Sequence, residues 1–175
     1  FIGSHLVETC LEQGFSVVAF DQYNPNNNWG WLEAFGHRDD MEIILGEIRD
    51  YDSVYRAMEG CDMVFHLAAL ADIVPSIQRP GDYFESNVEG TFNVLQVSQS
   101  KKIDRFIYVA SSSCYGVPDV YPTPEEAAIR PQYPYALTKH IGEELVLHWA
   151  KVYGLPAVSL RQFNVYGSRA RTTGT

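Results

Sequence analysis

The chain has 175 residues, enough for one domain with a real core, and its 46% hydrophobic and 20% charged content excludes a disordered tail. Thirteen basic against 22 acidic residues leave a net charge of −9 with the acids scattered, so the basic stripe that nucleic acid requires is absent. No apolar run approaches the roughly 20 residues that span a bilayer, no basic-then-apolar leader opens the chain, and Cys10, Cys61 and Cys114 lack the spacing of a metal site or a disulfide framework. These features predict a cytoplasmic protein with no nucleic-acid partner, no membrane partner and no metal, its cysteines serving as small buried apolar residues.

The sequence opens without Met on Phe1-Ile-Gly-Ser-His-Leu6, which reads as the first turn of a helix already under way. Leu6, Val7, Cys10 and Leu11 recur at helical spacing and Gly14 suits a left-handed stop, so a helix is predicted over about 3–13. Ser16 to Asp21 holds the apolar run Val-Val-Ala-Phe and closes on a carboxylate, the pattern of a strand buried on both faces of a parallel sheet. Beyond an Asn-rich loop, 22–30, the alternation repeats as strand 42–45, helix 51–58, strand 62–66 and a long helix over about 82–100. Strand 105–110, a Pro-rich loop 111–134, helix 135–153 and strand 157–163 complete it. Strand and helix alternating in this way predict βαβ units and a parallel sheet covered on both sides. The tail after Asn164 carries Arg169, Arg171 and Gly174 and no further element. The expectation is one domain over 1–175, incomplete at both ends.

Tyr135-Ala-Leu-Thr-Lys139 is the strongest chemical signal, because residues four apart on a helix share a face one turn apart. A phenol of pKa about 10 is a poor base near neutrality, and an adjacent ammonium favours the phenolate. Any long helix can offer such a pair by chance, so context matters. That context is Tyr108-Val-Ala-Ser-Ser-Ser-Cys-Tyr-Gly116, a strand running into three hydroxyls. Ligands of open α/β sheets bind at the carboxyl ends of the strands, which puts Ser111, Ser112 and Ser113 where a substrate would lie; a Ser-rich turn is the structural alternative.

With both stretches in hand, the chain resembles the extended short-chain dehydrogenase/reductase family in its NAD-dependent epimerase/dehydratase branch, over essentially its whole length. Six further matches follow in order. Phe1-Ile-Gly-Ser-His-Leu6 is similar to the end of the family's GxxGxxG loop, with Gly3 as the third glycine and the first two glycines and strand 1 missing. Asp21 matches the acid that binds the adenosine ribose, which implies NAD over NADP. Gly46-Glu47-Ile48-Arg-Asp50 resembles the G-D-[IV]-x-D segment beside the adenine, with Glu for the usual Asp, and His66-Leu-Ala-Ala69 matches H-x-A-[AG], with Leu67, Ala68 and Ala69 near the dinucleotide and His66 a core residue. Asn87-Val-Glu-Gly-Thr91 matches the N-V-x-G-T helix, its Asn structural, with a contact to catalysis through water as the alternative. Leu160-Arg-Gln-Phe-Asn-Val-Tyr-Gly167 is similar to L-R-x-F-N-x-Y-G, placing Phe163 beside the cofactor and Asn164 on the nucleotide-sugar; Gln162 and Ser168 depart from the common Tyr and Pro.

The resemblance implies a Rossmann-like doubly wound parallel sheet, lacking strand 1 and the C-terminal substrate-binding part, and a homodimer at full length. It implies NAD as cofactor, held by Phe1, Ile2, Gly3, Asp21, Glu47, Ile48, Leu67, Ala68, Ala69, Tyr135, Lys139 and Phe163. Ser111, Tyr135 and Lys139 would be catalytic, with Ser112, Ser113 and Asn164 on the substrate. Within the branch, 4,6-dehydratases commonly carry Thr-Asp-Glu or Thr-Ser-Glu after the strand, where this chain has Ser111-Ser112-Ser113, so the expected reaction is nucleotide-sugar 4-epimerisation of the UDP-glucose type, with the nucleotide left open. A dehydratase is the alternative, favoured by Asn27-Asn-Trp-Gly-Trp-Leu32, which resembles a loop of some dehydratases; a non-catalytic NAD-binding regulator is an alternative of another class.

Overall fold

The computed structural model describes residues 1–22 and 28–170. Residues 23–27 of the Asn-rich loop, and Arg171 and Gly174 of the tail, lie outside the described residues. In chain order the elements are α1 (Ile2–Glu12), β1 (Val17–Asp21), β2 (Met41–Leu45), α2 (Tyr51–Ala57), β3 (Met63–His66), α3 (Ile73–Gln78), α4 (Pro80–Phe84), α5 (Gly90–Lys101), β4 (Arg105–Ser111), α6 (Pro134–Tyr153) and β5 (Ala157–Gln162).

Local chemistry sets most of these boundaries. Asp50 caps α2 by accepting from the Asp52 amide, and Pro134, whose missing N–H costs nothing at a first helical position, opens α6. Gly154 ends α6 in a left-handed conformation at φ 70°, which a glycine adopts without steric penalty.

All pairings are parallel, in two pieces: β1 with β2, and β3–β4–β5 with β4 central. Among the described residues no strand pairs with the second edge of β1 or of β3. The two pieces share one core, in which Ile48, Val54 and Met58 from the β2–α2 region pack with Val94, Leu95 and Val97 of α5, Phe106 and Tyr108 of β4, and Val146 and Trp149 of α6. Phe20 of β1 packs against this cluster.

Three expectations change. On β4 the face carrying Phe106, Tyr108 and Ala110 is buried and the opposite face, Ile107 and Val109, is half-buried, whereas Met63 and Phe65 of β3 and Val158 and Leu160 of β5 are each more than a third exposed. Successive strand residues point to opposite faces, so one face of β3 and β5 meets α5 and α6 while the other stays open. The long helix starts at Pro80 and is interrupted by a π turn at Glu85–Glu89, and a short α3, with Pro75 in its first turn where no donor is needed, precedes it. Of the cysteines only Cys114 is buried; Cys10 and Cys61 are half-buried, because they sit at the rim of the core.

Candidate active site

Within each sheet the strands run the same way, so their carboxyl ends lie at one edge. Asp21 closes β1 opposite Leu45 of β2, and Ser111 closes β4 opposite Gln162 of β5. Ser111 begins a short 3-10 turn, Ser112–Tyr115: its Oγ accepts from the Ser113 amide at 3.2 Å and lies 2.8 Å from the Ser113 hydroxyl. The first turn of α6 carries Tyr135 to this point, where a side-chain hydrogen bond from Ser111 favours the phenolate. That contact is outweighed by burial, which raises Tyr135 above an ordinary tyrosine, with Tyr133, stacked on it at 6.4 Å, adding to the rise.

Lys139 lies one turn further along α6 and is buried. Burial pushes its pKa down to about 7, against an opposing pull from Glu143 a further turn on. Its Nζ stands 4.3 Å from the centre of the Tyr108 ring, within cation–π range. The simple expectation that the ammonium brings the phenol down is therefore modified: burial moves both groups away from the ion pair, Tyr135 upward and Lys139 downward.

A polar scaffold fixes the pair. The π turn aims Asn87 inward, where its side chain donates to the Leu70 carbonyl (3.0 Å) and to Thr138 Oγ1 (3.1 Å), and its Oδ1 accepts from the Leu70 amide (2.8 Å). This ties the segment after β3, which contains Leu67, Ala68 and Ala69, to α6 beside Lys139. His66 is buried with Nε2 2.9 Å from Thr91 Oγ1, and burial lowers its pKa to about 3, so it is a neutral core residue as expected. On the far side, Arg161 of β5 grips the buried Glu143 at 2.7 Å and also donates to Tyr115 Oη (2.8 Å) and the Glu125 carbonyl (3.0 Å), pinning the long β4–α6 loop.

The residues expected to hold a dinucleotide lie at the start of α1, the end of β1, the turn after β2 and the segments after β3 and β5. Phe1 makes no side-chain cap to α1, and no acidic residue occupies the helix's first turn, where a helix dipole favours an anion. A Cβ on Gly3 would meet no described atom within 4 Å. Asp21 is exposed and accepts from the Gln22 amide at 2.9 Å. Glu47 is engaged by Gln22 Nε2 at 2.8 Å and by Arg49 at 3.1 Å, while Ile48 is buried against Gly90. Phe163 is 60% exposed and stacks on Tyr115, and Asn164 next to it is exposed. Ser112 is half-buried in the 3-10 turn. These groups fit a dinucleotide: a helix N-terminus without an acid for a pyrophosphate, a carboxylate for a ribose, small and apolar surfaces between.

The model of the NAD-dependent epimerase/dehydratase family matches residues 1–175. The chain belongs to that family. It is similar to the UDP-glucose 4-epimerase of Lacticaseibacillus casei, 33% identical over 96% of this chain and 50% of the relative. Among solved structures it resembles the Thermus thermophilus UDP-glucose 4-epimerase in complex with NAD (TM-score 0.88, 30% identity, 99% of this chain and 55% of that one). It also resembles a dTDP-glucose 4,6-dehydratase from Streptomyces venezuelae with NAD bound (TM-score 0.89, 28% identity, 96% and 54%). The chain spans about half the length of the relatives it matches.

Sequence reasoning about this epimerase/dehydratase chain missed the scaffold of its site. Thr91, Thr138 and Arg161 lie within matched stretches that give no sign of their partners, and Glu143 lies outside them, although Tyr135, Lys139 and Glu143 do recur every four residues along one helix face. The Tyr108–Lys139 contact crosses from strand to helix and leaves no spacing to read. Among the described residues no His, Cys, Asp and Glu cluster could hold a metal and no helix is long and apolar enough to cross a membrane.

Proposed function

We propose that this chain carries the NAD-binding catalytic half of a nucleotide-sugar 4-epimerase, acting in the cytoplasm as a homodimer of the full chain. The observation that carries the reading is the pairing of Tyr135 with Ser111 at a rim whose third hydroxyl, Ser113, binds Ser111 where an elimination would need a carboxylate. Glu143, the nearest buried acid on α6, is locked to Arg161 and is not available as a base.

When bound, the nicotinamide supplies a reversible hydride acceptor beside the sugar. Tyr135 takes the proton of the C4 hydroxyl as hydride leaves C4, and Ser111 holds that oxygen, its own hydroxyl oriented by Ser113. The resulting C4 ketone turns to present its other face, hydride returns to C4, and Tyr135 gives its proton back to the oxygen. Lys139 favours the phenolate by its charge and holds the cofactor ribose. Asn164 and Ser112 line the sugar-nucleotide side, and Phe1 to Gly3, Asp21, Glu47, Ile48, Leu67 to Ala69 and Phe163 hold the dinucleotide.

A 4,6-dehydratase is the second reading, supported by the close structural likeness to one such enzyme. The test is to incubate the full chain with NAD and UDP-, GDP-, CDP- and dTDP-hexoses and identify products by mass and NMR. A product of unchanged mass inverted at C4 supports epimerisation. Loss of one water refutes it in favour of dehydration, and no conversion of any sugar refutes both in favour of an NAD-binding regulator.

A further inference from the structure

A buried lysine cannot serve Tyr135 unless something keeps it charged. Lys139 is 3% exposed, and the charged or titratable groups facing it from each element packed around it are few. On α6 these are Tyr135 one turn before and Glu143 one turn after. Glu143 already has a partner, because Arg161 of β5 binds it at 2.7 Å. From β3 comes His66, neutral and itself disfavoured as a cation by Lys139. The π turn and α5 contribute the uncharged Asn87 and Thr91. From β4 comes Tyr108, fully buried, with its ring face 4.3 Å from Nζ.

The placement of Tyr108 is built in from both ends. Its hydroxyl donates to the Lys139 carbonyl at 3.2 Å, fixing the ring against the turn of α6 that carries the ammonium. Gly142, in the next turn, leaves the room: a Cβ there would overlap the Tyr108 hydroxyl. A glycine inside a helix costs about 1 kcal/mol against alanine, and here it has a steric reason. The His66 ring is tilted against the tyrosine, with ring centres 5.6 Å apart.

We propose that Tyr108 is a positioning residue whose ring face holds the Lys139 ammonium charged beside Tyr135. This rests on the assignment of Tyr135 and Lys139 to proton transfer. The negative face of the ring attracts a cation that has lost its water, and the attraction grows as the site dries. The hydroxyl sets where the ring stands, and the ring electrons act on the charge.

Fluorination separates these roles, because each fluorine withdraws electron density from the ring face and barely alters its shape. The full chain is prepared with phenylalanine at position 108, then with mono-, di- and trifluorinated phenylalanine. In each, the Lys139 side-chain signal of carbon-labelled lysine is titrated by NMR, assigned by its loss in Lys139→Met. The titration midpoint is expected to fall stepwise with fluorination, by about one pH unit across the series, and the high-pH limb of kcat to fall with it. A midpoint that stays fixed across the series overturns the proposal, since a purely structural tyrosine gives that result. Turnover that survives Lys139→Met would instead sink the catalytic assignment of Lys139 while leaving the midpoint series to judge Tyr108.

Discussion

Replacing Lys139 with methionine should stabilise the protein while abolishing its chemistry. Burial lowers the Lys139 pKa from 10.5 to about 7, so between those values the unfolded chain binds a proton that the folded chain does not. Stability therefore rises with pH across that window, and the cost of burying the ammonium is complete at pH 7 and below. The gap, 10.5 − 7, at about 1.4 kcal/mol per unit bounds this cost near 5 kcal/mol. Methionine fills a similar volume without charge, and after the loss of the Tyr108 contact a gain of about 2–4 kcal/mol at pH 7 is expected. The assay is urea unfolding of the full chain and its Lys139→Met variant without dinucleotide at pH 6, 7, 9 and 10, which runs from below that window to near its upper end. The advantage of the variant should be level from pH 6 to 7 and shrink towards pH 10. A variant no more stable than the parent at pH 7, or an advantage indifferent to pH, would refute the reasoning.

Other consequences follow from the same scaffold. His66, its pKa lowered from 6.5 to about 3, contributes stability that is present above pH 6.5 and lost as the pH falls towards 3; by pH 5 the loss should reach about 2 kcal/mol, and His66→Gln should flatten that slope in acid unfolding curves. Arg161→Met leaves the Glu143 carboxylate buried and alone and should cost about 3–5 kcal/mol, most of it recovered when Glu143→Leu is added, as read by chemical denaturation. Gly142→Ala drives a methyl into the Tyr108 hydroxyl and should cost about 1–3 kcal/mol despite alanine's better helix propensity, part of it restored in a Tyr108→Phe background; a neutral Gly142→Ala in thermal melts would contradict the packing described here.

What was legible in the sequence was whatever repeats locally. The 3.6-residue spacing of Leu6, Val7, Cys10 and Leu11 marked α1, and Tyr135 and Lys139, four apart, marked the chemical face of α6. Strand ends were legible because a parallel strand closes on a polar residue, as β1 does on Asp21 and β4 on Ser111. Two things were hidden. One is the π turn at Glu85–Glu89, because a single extra residue in a helical turn leaves the apolar pattern nearly unchanged while it aims Asn87 at Leu70 and Thr138. The other is the electrostatic state of the pair, which burial decides: spacing showed that Lys139 is near Tyr135, and only packing shows that both are dry enough for burial to oppose their charge.

The central claim is that hydride leaves C4 and returns to C4. It is tested most directly by giving the full chain, with NAD, a nucleotide-hexose carrying deuterium at C4 and locating the label in the product by NMR. The account predicts an inverted C4 that has kept its deuterium. Deuterium found at C6 of a product lighter by one water, or exchanged into solvent, would contradict it.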